Sequence, residues 1–338
     1  MGRVDHRIRI LLAAAGMAMS LPSAGIAQMD ETSVALPVTS LTFGFHYLAE
    51  DLGLFEKNGL KVKSSVVSGI GAANAVLAGS VDFSAGSGPT VIRANARGQK
   101  LVAIGLTVDK PLLEIVLGKE IAAKRGIDDK TPMDKRAQAV KGLQLAIDAP
   151  NTIPHGYMKY FLSKGKVDDQ RDVTLTPMQP PNMMAALKSG AISGFVMSQP
   201  WTLIPVREGN AIRLASSVRG DFPELVPFAY NVVITRAGTC EAKPALCRKL
   251  LAAYQGALTA IRDRPQEALP ALQKRFAQLD PGVLSDAFEA MRAMTPASLE
   301  VTEAGLRNGQ DLMLKTGMVK AEETLKSFDG IYSNAYLK

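Results

Sequence analysis

The amino-acid sequence repeats itself at an offset of 111 residues, and this repeat limits the possible folds more than any other feature. Residues 75–82, Ala-Val-Leu-Ala-Gly-Ser-Val-Asp, align with residues 186–193, Ala-Leu-Lys-Ser-Gly-Ala-Ile-Ser. At the same offset Ser87 aligns with Ser198, and the gap lengths agree over residues 34–89. Equal gaps over such a length favour two related halves over a chance match between alanine-rich helices.

Each half is predicted to run strand, helix, strand, helix, strand, with a proline (Pro89 or Pro200) at the start of the next helix. Alternating strands and helices predict βαβ units and mainly parallel sheets. We therefore predict an α/β fold of two Rossmann-like lobes. Two apolar or β-branched runs, residues 112–117 and 231–235, bracket the second half. They are predicted to be paired strands that cross between the lobes.

The predicted domain boundaries follow from this organisation. The first lobe begins with residues 28–118, the second lobe comprises residues 119–235, and residues 236–338 return to the first lobe. The returning segment is helical by composition and is expected to pack on the first lobe. A length of 338 residues accommodates two domains of ordinary size.

Residues 1–27 have the three parts of a secretory signal peptide. Arg3, Arg7 and Arg9 precede an apolar run at residues 10–21, and small residues lead to a predicted cleavage site after Ala27. The alternatives are an amphipathic first helix and a membrane anchor, but the apolar run is short for about 30 Å of hydrocarbon. No later run approaches about 18 apolar residues, so the exported chain is predicted to be periplasmic and not embedded in the membrane.

The chain has two cysteines, Cys240 and Cys247, and three histidines. An oxidising compartment permits a disulfide between the cysteines. On one continuous helix their Cα atoms would lie about 10 Å apart, too far to bond, but Pro244 is predicted to begin a helix and to leave Cys240 in the preceding loop. A loop-to-helix disulfide and two buried thiols both remain open. Because clustered metal-ligand spacing is missing from the sequence, neither a metal site nor a cofactor is predicted.

Two glycine-rich segments resemble catalytic or cofactor motifs but lack the residues that the chemistry needs. In Gly-Ile-Gly-Ala-Ala-Asn at residues 69–74, Asn74 replaces the last glycine of a dinucleotide fingerprint. A nucleophile elbow needs a glycine two residues before and two residues after its serine. Around Ser87 these positions are occupied by Ala85 and Pro89. Basic residues are scattered without an aromatic platform, which disfavours nucleic-acid binding. The sequence therefore predicts neither an enzyme nor a nucleic-acid-binding protein.

Hydroxyl and amide side chains precede four predicted helices, in corresponding places of the two halves. They are Ser40 with Thr42, Ser87, Asn151 with Thr152, and Ser198. In open α/β sheets such loops lie at the carboxyl ends of strands, where ligands bind, and helix N-termini attract anions. A single such residue is usually only a helix cap. Four in matching places predict a cleft between the lobes that has polar donors and little fixed charge.

Three segments resemble the nitrate/sulfonate/taurine-type periplasmic substrate-binding proteins of ATP-binding-cassette (ABC) importers, a superfamily that also includes binders of thiamine precursors. The most specific segment is residues 48–62, in which Gly-Leu-Phe-Glu-Lys-Asn-Gly-Leu stands between a helix and a strand. Residues 75–89 and 185–201 are the others, and the resemblance covers most of residues 33–260. It implies the type II periplasmic binding protein fold, with two lobes, a hinge of two strands and a ligand in the closing cleft.

The resemblance and the loop positions together predict the ligand-binding residues. They are Ser40, Leu41, Thr42, His46, Gly86, Ser87, Asn151, Thr152, His155, Ser198, Gln199 and Trp201. The two histidines are alternatively packing or surface residues, and the single tryptophan is alternatively a core residue instead of a stacking wall. Members of the family often have Trp-Glu-Pro after the second-lobe strand, where this chain has Ser-Gln-Pro-Trp at residues 198–201.

These observations predict a periplasmic solute-binding protein that delivers a small molecule to the membrane permease of an ABC importer. The net charge is +7 and falls to +5 without residues 1–27. With the donor-rich loops, this charge favours a small anionic or strongly polar organic solute, such as a sulfonate, a carboxylate or a nitrate-like anion. The protein is expected to act as a monomer without catalytic residues. The alternatives are a periplasmic enzyme on the same scaffold and a receptor that senses its ligand.

Overall fold

The computed structural model describes residues 28–337, and ten strands form the framework of this part of the chain. The strands are β1 (Asp30–Leu36), β2 (Leu60–Val66), β3 (Phe83–Gly86), β4 (Leu101–Val108), β5 (Leu113–Gly118), β6 (Gln144–Ile147), β7 (Thr174–Pro177), β8 (Gly194–Ser198), β9 (Ala211–Ser216) and β10 (Asn231–Arg236). They form two five-stranded sheets, one in each lobe.

The two sheets have the same topology. The first has the order β2-β1-β3-β10-β4 and the second the order β7-β6-β8-β5-β9. The central strand pairs β1 with β3 and β6 with β8 are parallel. In each sheet the fourth strand, β10 or β5, is antiparallel to both of its neighbours. The predicted α/β fold with two similar lobes is confirmed.

The repeat in the sequence extends to the register of the strands. Val34 pairs with Phe83 in the first sheet, and Leu145 pairs with Gly194 in the second, which are the same positions at the offset of 111 residues. The repeated glycines also have the same role, because Gly79 and Gly190 end helices with φ angles of 75° and 78°. Such left-handed positions are adopted by glycine at little steric cost.

The chain crosses between the lobes at two neighbouring places. The segments that cross bond to each other, with Phe228 N donating to Asp109 O at 2.8 Å and Tyr230 N to Val108 O at 3.1 Å. The predicted pairing of the crossing strands themselves is wrong, because β5 and β10 each bond to two strands of their own sheet. The structure places β5 in the second sheet and β10 in the first, whereas the predicted boundaries assign each of them to the other lobe.

Fourteen α-helices surround the sheets in the described part of the chain. They are α1 (Gly44–Asp51), α2 (Leu54–Lys57), α3 (Gly71–Ala78), α4 (Gly88–Ala96), α5 (Lys119–Lys124), α6 (Met133–Gln138), α7 (Ile153–Lys164), α8 (Pro180–Ser189), α9 (Leu203–Arg207), α10 (Thr239–Ala242), α11 (Pro244–Asp263), α12 (Pro265–Arg275), α13 (Pro281–Ala293) and α14 (Glu303–Lys315). The tail packs on the first lobe through contacts of α11 with α1 and of α14 with α4. It also reaches the second lobe, where α13 contacts α9 and α14 contacts α7.

Corresponding prolines of the two halves have different positions relative to the next helix. Pro89 lies in the first turn of α4, as predicted. The residues after Pro200 form turns, and α9 begins only at Leu203, so the prediction that Pro200 begins a helix is wrong. The hydroxyl of Thr202 donates to the carboxylate of Glu114 on β5 at 2.6 Å, and this contact holds the loop against the sheet before the helix starts.

A disulfide joins Cys240 of α10 to Cys247 of α11, whose Cα atoms lie 5.7 Å apart. Of the two alternatives for the cysteines, the structure therefore has the bonded one, but the prediction that Cys240 lies in a loop is wrong, because Cys240 lies in α10. The break between α10 and α11 makes this possible, because one continuous helix would hold the two Cα atoms too far apart.

The predicted signal peptide, residues 1–27, lies outside the described residues. Within residues 28–337, every helix is too short or too polar to span a bilayer.

Candidate functional site

A cleft of about 700 Å³ lies between the two lobes, at the carboxyl ends of the parallel strands. The first lobe contributes the loop after β1 and parts of α3 and α4, and the second lobe contributes the loops after β6 and β8. Ligands of open α/β sheets bind at this edge of the strands. Seven of the twelve predicted ligand-binding residues line the cleft: Ser40, Thr42, Gly86, Ser87, Asn151, Thr152 and Ser198.

Two serine hydroxyls, one from each lobe, meet in the cleft. Ser40 follows β1 and accepts a hydrogen bond from the hydroxyl of Thr42 at 3.1 Å, at the start of a short 3-10 turn. Ser198 ends β8, and its Oγ lies 3.5 Å from Oγ of Ser40. Both side chains are buried. The loop after β1 and the carboxyl end of β8 therefore meet through hydroxyl groups that can both donate and accept.

Ser87 lines the cleft as the N-cap of α4. Its hydroxyl lies 2.9 Å from Oγ1 of Thr90 and accepts from the backbone N–H of Thr90 at 3.3 Å. Its local partners are those of an ordinary cap. Ser87 and Ser198 nevertheless line the same cleft, which is the arrangement expected if the two lobes face each other.

The loop after β6 crosses the cleft to reach the first lobe. Asn151 has a φ angle of 62°, which is uncommon for a residue other than glycine. Its backbone N–H donates to Nδ1 of His155 at 3.0 Å, and its carbonyl accepts from Nη1 of Arg93 at 2.8 Å. Thr152 caps α7 and donates to Oδ1 of Asp148 at 2.5 Å. This loop therefore links α7 of the second lobe to α4 of the first.

The other five predicted residues, Leu41, His46, His155, Gln199 and Trp201, do not line the cleft. His46 is buried in the first-lobe core, where its ring nitrogens bond to Tyr254 Oη at 2.9 Å and to Ser64 Oγ at 2.8 Å. Leu41 is a core residue as well. His155 supports the loop after β6 from outside the cleft, through Asn151.

Gln199 and Trp201 lie beyond the point where the loop after β8 turns away from the cleft. Trp201 packs on a hydrophobic cluster of the second lobe that includes Met183 and Phe195. Gln199, two residues earlier, is buried, and neither the Gln199 Oε1 nor the Trp201 Nε1 has a hydrogen-bond partner in the described part of the chain. The core alternative for the single tryptophan is therefore the one that the structure shows.

The cleft also contains charged residues that the sequence analysis did not select. Arg93 lines it from α4, Arg97 lines it as the residue that follows this helix, and Asp148 lines it from the loop after β6. Burial lowers the pKa of Arg93, and the neighbouring Arg97 acts in the same direction. Burial raises the pKa of Asp148, against the effect of the hydrogen bond from Thr152. The expected cleft with little fixed charge is therefore not what the structure shows.

The spacing of the α4 residues could have indicated this. Pro89, Arg93 and Arg97 are four residues apart and so share one face of the helix whose N-terminus was already predicted to face the cleft. Apolar side chains complete the walls, among them Val38, Ile70, Leu77, Ile153, Met197 and Met318. No local pattern in the sequence distinguishes these from core residues.

Comparisons with known proteins agree with this architecture. The nitrate/nitrite binding protein NrtA of Nostoc sp. is 26% identical over 134 residues, which are 39% of this chain and 28% of NrtA. The nitrate import ATP-binding protein NrtC of Synechococcus elongatus is 28% identical over 178 residues, which are 51% of this chain and 27% of NrtC. The chain thus spans less than a third of the length of these curated relatives.

A solved structure matches nearly the whole chain. The periplasmic aliphatic sulphonate binding protein SsuA of Escherichia coli superposes with a TM-score of 0.69 at 18% identity, and the match covers 91% of this chain and 99% of SsuA. This likeness shows the fold of a periplasmic binding protein. The sequence profile of the NMT1-like family matches residues 31–273, which include nearly all of both sheets. The chain therefore belongs to the NMT1-like family.

Proposed function

We propose that this protein is the solute-binding component of an ABC-type importer and that it captures a small polar or anionic organic solute in the cleft. The observation that carries the proposal is the cleft itself, because groups from the strand ends of both lobes meet in it. Ser40 and Ser198 offer hydroxyls from opposite lobes, and Arg93 adds a positive charge. A solute held between them would contact both lobes at once.

Capture is proposed to proceed by closure of the lobes about the two crossing segments. Two adjacent crossings, bonded to each other at Asp109 and Phe228, form a narrow connection of the kind that hinge motions use. The contacts of Ser40 with Ser198 and of Arg93 with Asn151 span the lobes, and a movement that separates the lobes would break them. A ligand favours closure only through the additional contacts that it makes in the closed form.

The proposed location is the periplasm, and the proposed partner is a membrane permease. The predicted signal peptide at residues 1–27 and the disulfide between Cys240 and Cys247 both suit an oxidising compartment. Among the relatives, SsuA is described as periplasmic and NrtC as an ATP-binding protein of nitrate import, which supports an importer. The binding protein is proposed to act as a monomer without a cofactor.

The test is a thermal-shift screen of residues 28–338 against sulfonates, carboxylates, nitrate and pyrimidines, followed by calorimetric titration of each hit. Binding to the folded state raises the unfolding temperature, and the shift grows with the ratio of the free ligand concentration to the dissociation constant. The variant Arg93→Gln should weaken an anionic hit by about 10- to 100-fold, because a hydrogen bond to a charged group is lost. Arg171→Gln, which removes an exposed guanidinium of the second lobe, is the matched control and should bind as the wild type does.

The outcomes separate the functions. Stabilisation without chemical change of the hit, together with a smaller radius of gyration in X-ray scattering, supports a binding protein that closes on its solute. Conversion of the hit, measured by mass spectrometry, would instead show an enzyme. A screen in which no solute of the four classes stabilises the protein would refute the proposal.

A further inference from the structure

The loop after β6 presents a backbone carbonyl to Arg93 of the other lobe, and a histidine outside the cleft holds that carbonyl in place. Asn151 donates its N–H to Nδ1 of His155 at 3.0 Å, and its carbonyl oxygen accepts from Nη1 of Arg93 at 2.8 Å. The φ angle of 62° at Asn151 is disfavoured for a residue with a side chain, so it needs contacts that maintain it. The bond to His155 is such a contact, and it fixes the direction of the carbonyl.

The bond to Asn151 uses only part of what Arg93 can donate. A guanidinium has five N–H donors in one plane, and within residues 28–337 only Nη1 of Arg93 has an acceptor. Because the group is planar, a bond at Nη1 restricts the direction of the remaining N–H groups. Arg93 lines the cleft, so the Asn151 carbonyl orients these groups for a second partner there.

His155 acts on the cleft without lining it. Its backbone N–H donates to Oγ1 of Thr152 at 3.3 Å, which places the histidine in the first turn of α7. Its ring then reaches back to the Asn151 N–H. The ring can accept this N–H only while Nδ1 has a free lone pair, because a protonated imidazole donates from both nitrogens.

We propose that His155 is a positioning residue for solute binding: it holds Asn151 so that the Asn151 carbonyl orients Arg93 towards an anionic group of the solute. This rests on the proposed solute-binding function and adds to it a residue that sets the affinity from outside the cleft. The affinity is then linked to a proton. It is highest where His155 is neutral, and it falls as the pH drops and the ring loses its acceptor.

The charged groups around His155 favour its neutral form at neutral pH. Burial lowers the pKa of His155, Lys159 on the same helix acts in the same direction, and Asp169 in the loop after α7 opposes them. Lys159 and Asp169 pair with each other at 3.2 Å. Asp148 and Arg93 are the charged groups that bond to the loop itself. The segment after α14 approaches α7 through an uncharged methionine.

The first test needs no solute. His155→Leu removes the acceptor of the Asn151 N–H, and Arg93→Met removes the donor to the Asn151 carbonyl while keeping the apolar part of the side chain. Since both residues act on Asn151, the double variant should lose less of its urea midpoint than the two single losses added together, by about 0.2 M or more. His155→Leu combined with Arg264→Met, which changes an exposed arginine beside α12, should be additive.

Asn151→Gly is a further control, because glycine adopts the same φ angle and keeps both backbone contacts. The coupling between positions 155 and 93 should therefore persist in this background. A loss of coupling there would show that the Asn151 side chain, and not its backbone, connects the two residues, and it would overturn the proposed route.

The second test measures affinity by calorimetric titration of residues 28–338 with ethanesulfonate, butyrate and nitrate. For each anion that binds the wild type, His155→Leu should raise the dissociation constant by about 3- to 10-fold at neutral pH. His155→Asn keeps an acceptor at the δ position and should bind as tightly as the wild type. Between about pH 7.5 and 5.5 the wild type should lose affinity and His155→Asn should not. Any titration of Asp148 is common to both proteins, so the difference between them reports His155.

The outcomes separate this proposal from the solute-binding function. Additive effects of His155→Leu and Arg93→Met, or identical pH profiles for the wild type and His155→Asn, would overturn the positioning role and leave solute binding intact. Should His155→Leu fail to fold, the comparison of these two profiles decides. If a pyrimidine binds but none of the three anions does, solute binding stands and the positioning role fails. If neither the anions nor a pyrimidine binds, both proposals fail.

Discussion

Substitution of Glu114 by glutamine tests how the second lobe holds the loop that carries Ser198. Glu114 lies on β5 with 1% of its surface exposed. Its carboxylate accepts from Nε of Arg213 at 3.0 Å, from the hydroxyl of Ser216 at 2.8 Å and from the hydroxyl of Thr202 at 2.6 Å. The variant Glu114→Gln keeps the shape of the side chain but leaves the charge of Arg213 without a carboxylate.

The expected loss follows from the burial of this pair. The Arg213 side chain is only 14% exposed, and removal of one partner of a buried pair costs about 3–5 kcal/mol. With a urea dependence of about 3 kcal/mol per molar for a chain of this size, the unfolding midpoint should fall by about 1 M or more. The assay is urea unfolding of residues 28–338, followed by far-ultraviolet circular dichroism.

An exposed pair provides the control. Asp286→Asn removes the contact with Arg207 at 2.7 Å, whose side chains are 59% and 43% exposed, and should cost less than about 1 kcal/mol. Adding Arg213→Met to Glu114→Gln removes the unpaired charge and should recover part of the loss. Equal midpoints for Glu114→Gln and Asp286→Asn would refute the reasoning.

Three further predictions concern other parts of the chain. Reduction of the disulfide between α10 and α11 should lower the free energy of unfolding by about 2.5 kcal/mol, and a variant with both cysteines replaced by serine should not respond to the reductant. Burial lowers the pKa of His155, so its neutral ring accepts the Asn151 N–H. Since the unfolded chain takes up the proton first, stability should fall as the pH drops below about 6.5; in His155→Asn, urea midpoints should depend less on pH in this range. Gly194→Ala should cost more than about 3 kcal/mol, because the added Cβ would overlap the Val116 carbonyl oxygen. Gly209→Ala, where only a positive φ opposes the substitution, should cost about 1 kcal/mol in the same unfolding assay.

The framework of the fold was predictable because the repeat carries its own register. Alternating strands and helices are local patterns, and the offset between residues 75–82 and 186–193 placed two such units in one chain. The sheet to which a crossing strand belongs is a tertiary property. Residues 112–117 and 231–235 have the local pattern of strands. No local pattern indicates that the first run joins the second sheet and that the second run joins the first sheet.

The site was predictable only where a residue ends a strand or begins a helix. Ser40, Ser87 and Ser198 meet that condition and line the cleft. Arg93 and Asp148 were missed for different reasons. Arg93 lies in the middle of a helix. Asp148 lies in a loop from which only the residues that directly precede the next helix were selected. Trp201 was misplaced because the direction of its loop depends on the contact between Thr202 and Glu114.

The way in which the chain passes between the sheets has a consequence for protein engineering. All five strands of the second sheet come from residues 113–216 without interruption, so this lobe is an insertion within the first. The two ends of the insertion leave the host side by side, at Asp109 and Phe228. A short glycine linker in place of residues 110–227 should therefore yield a miniature protein with an intact first sheet.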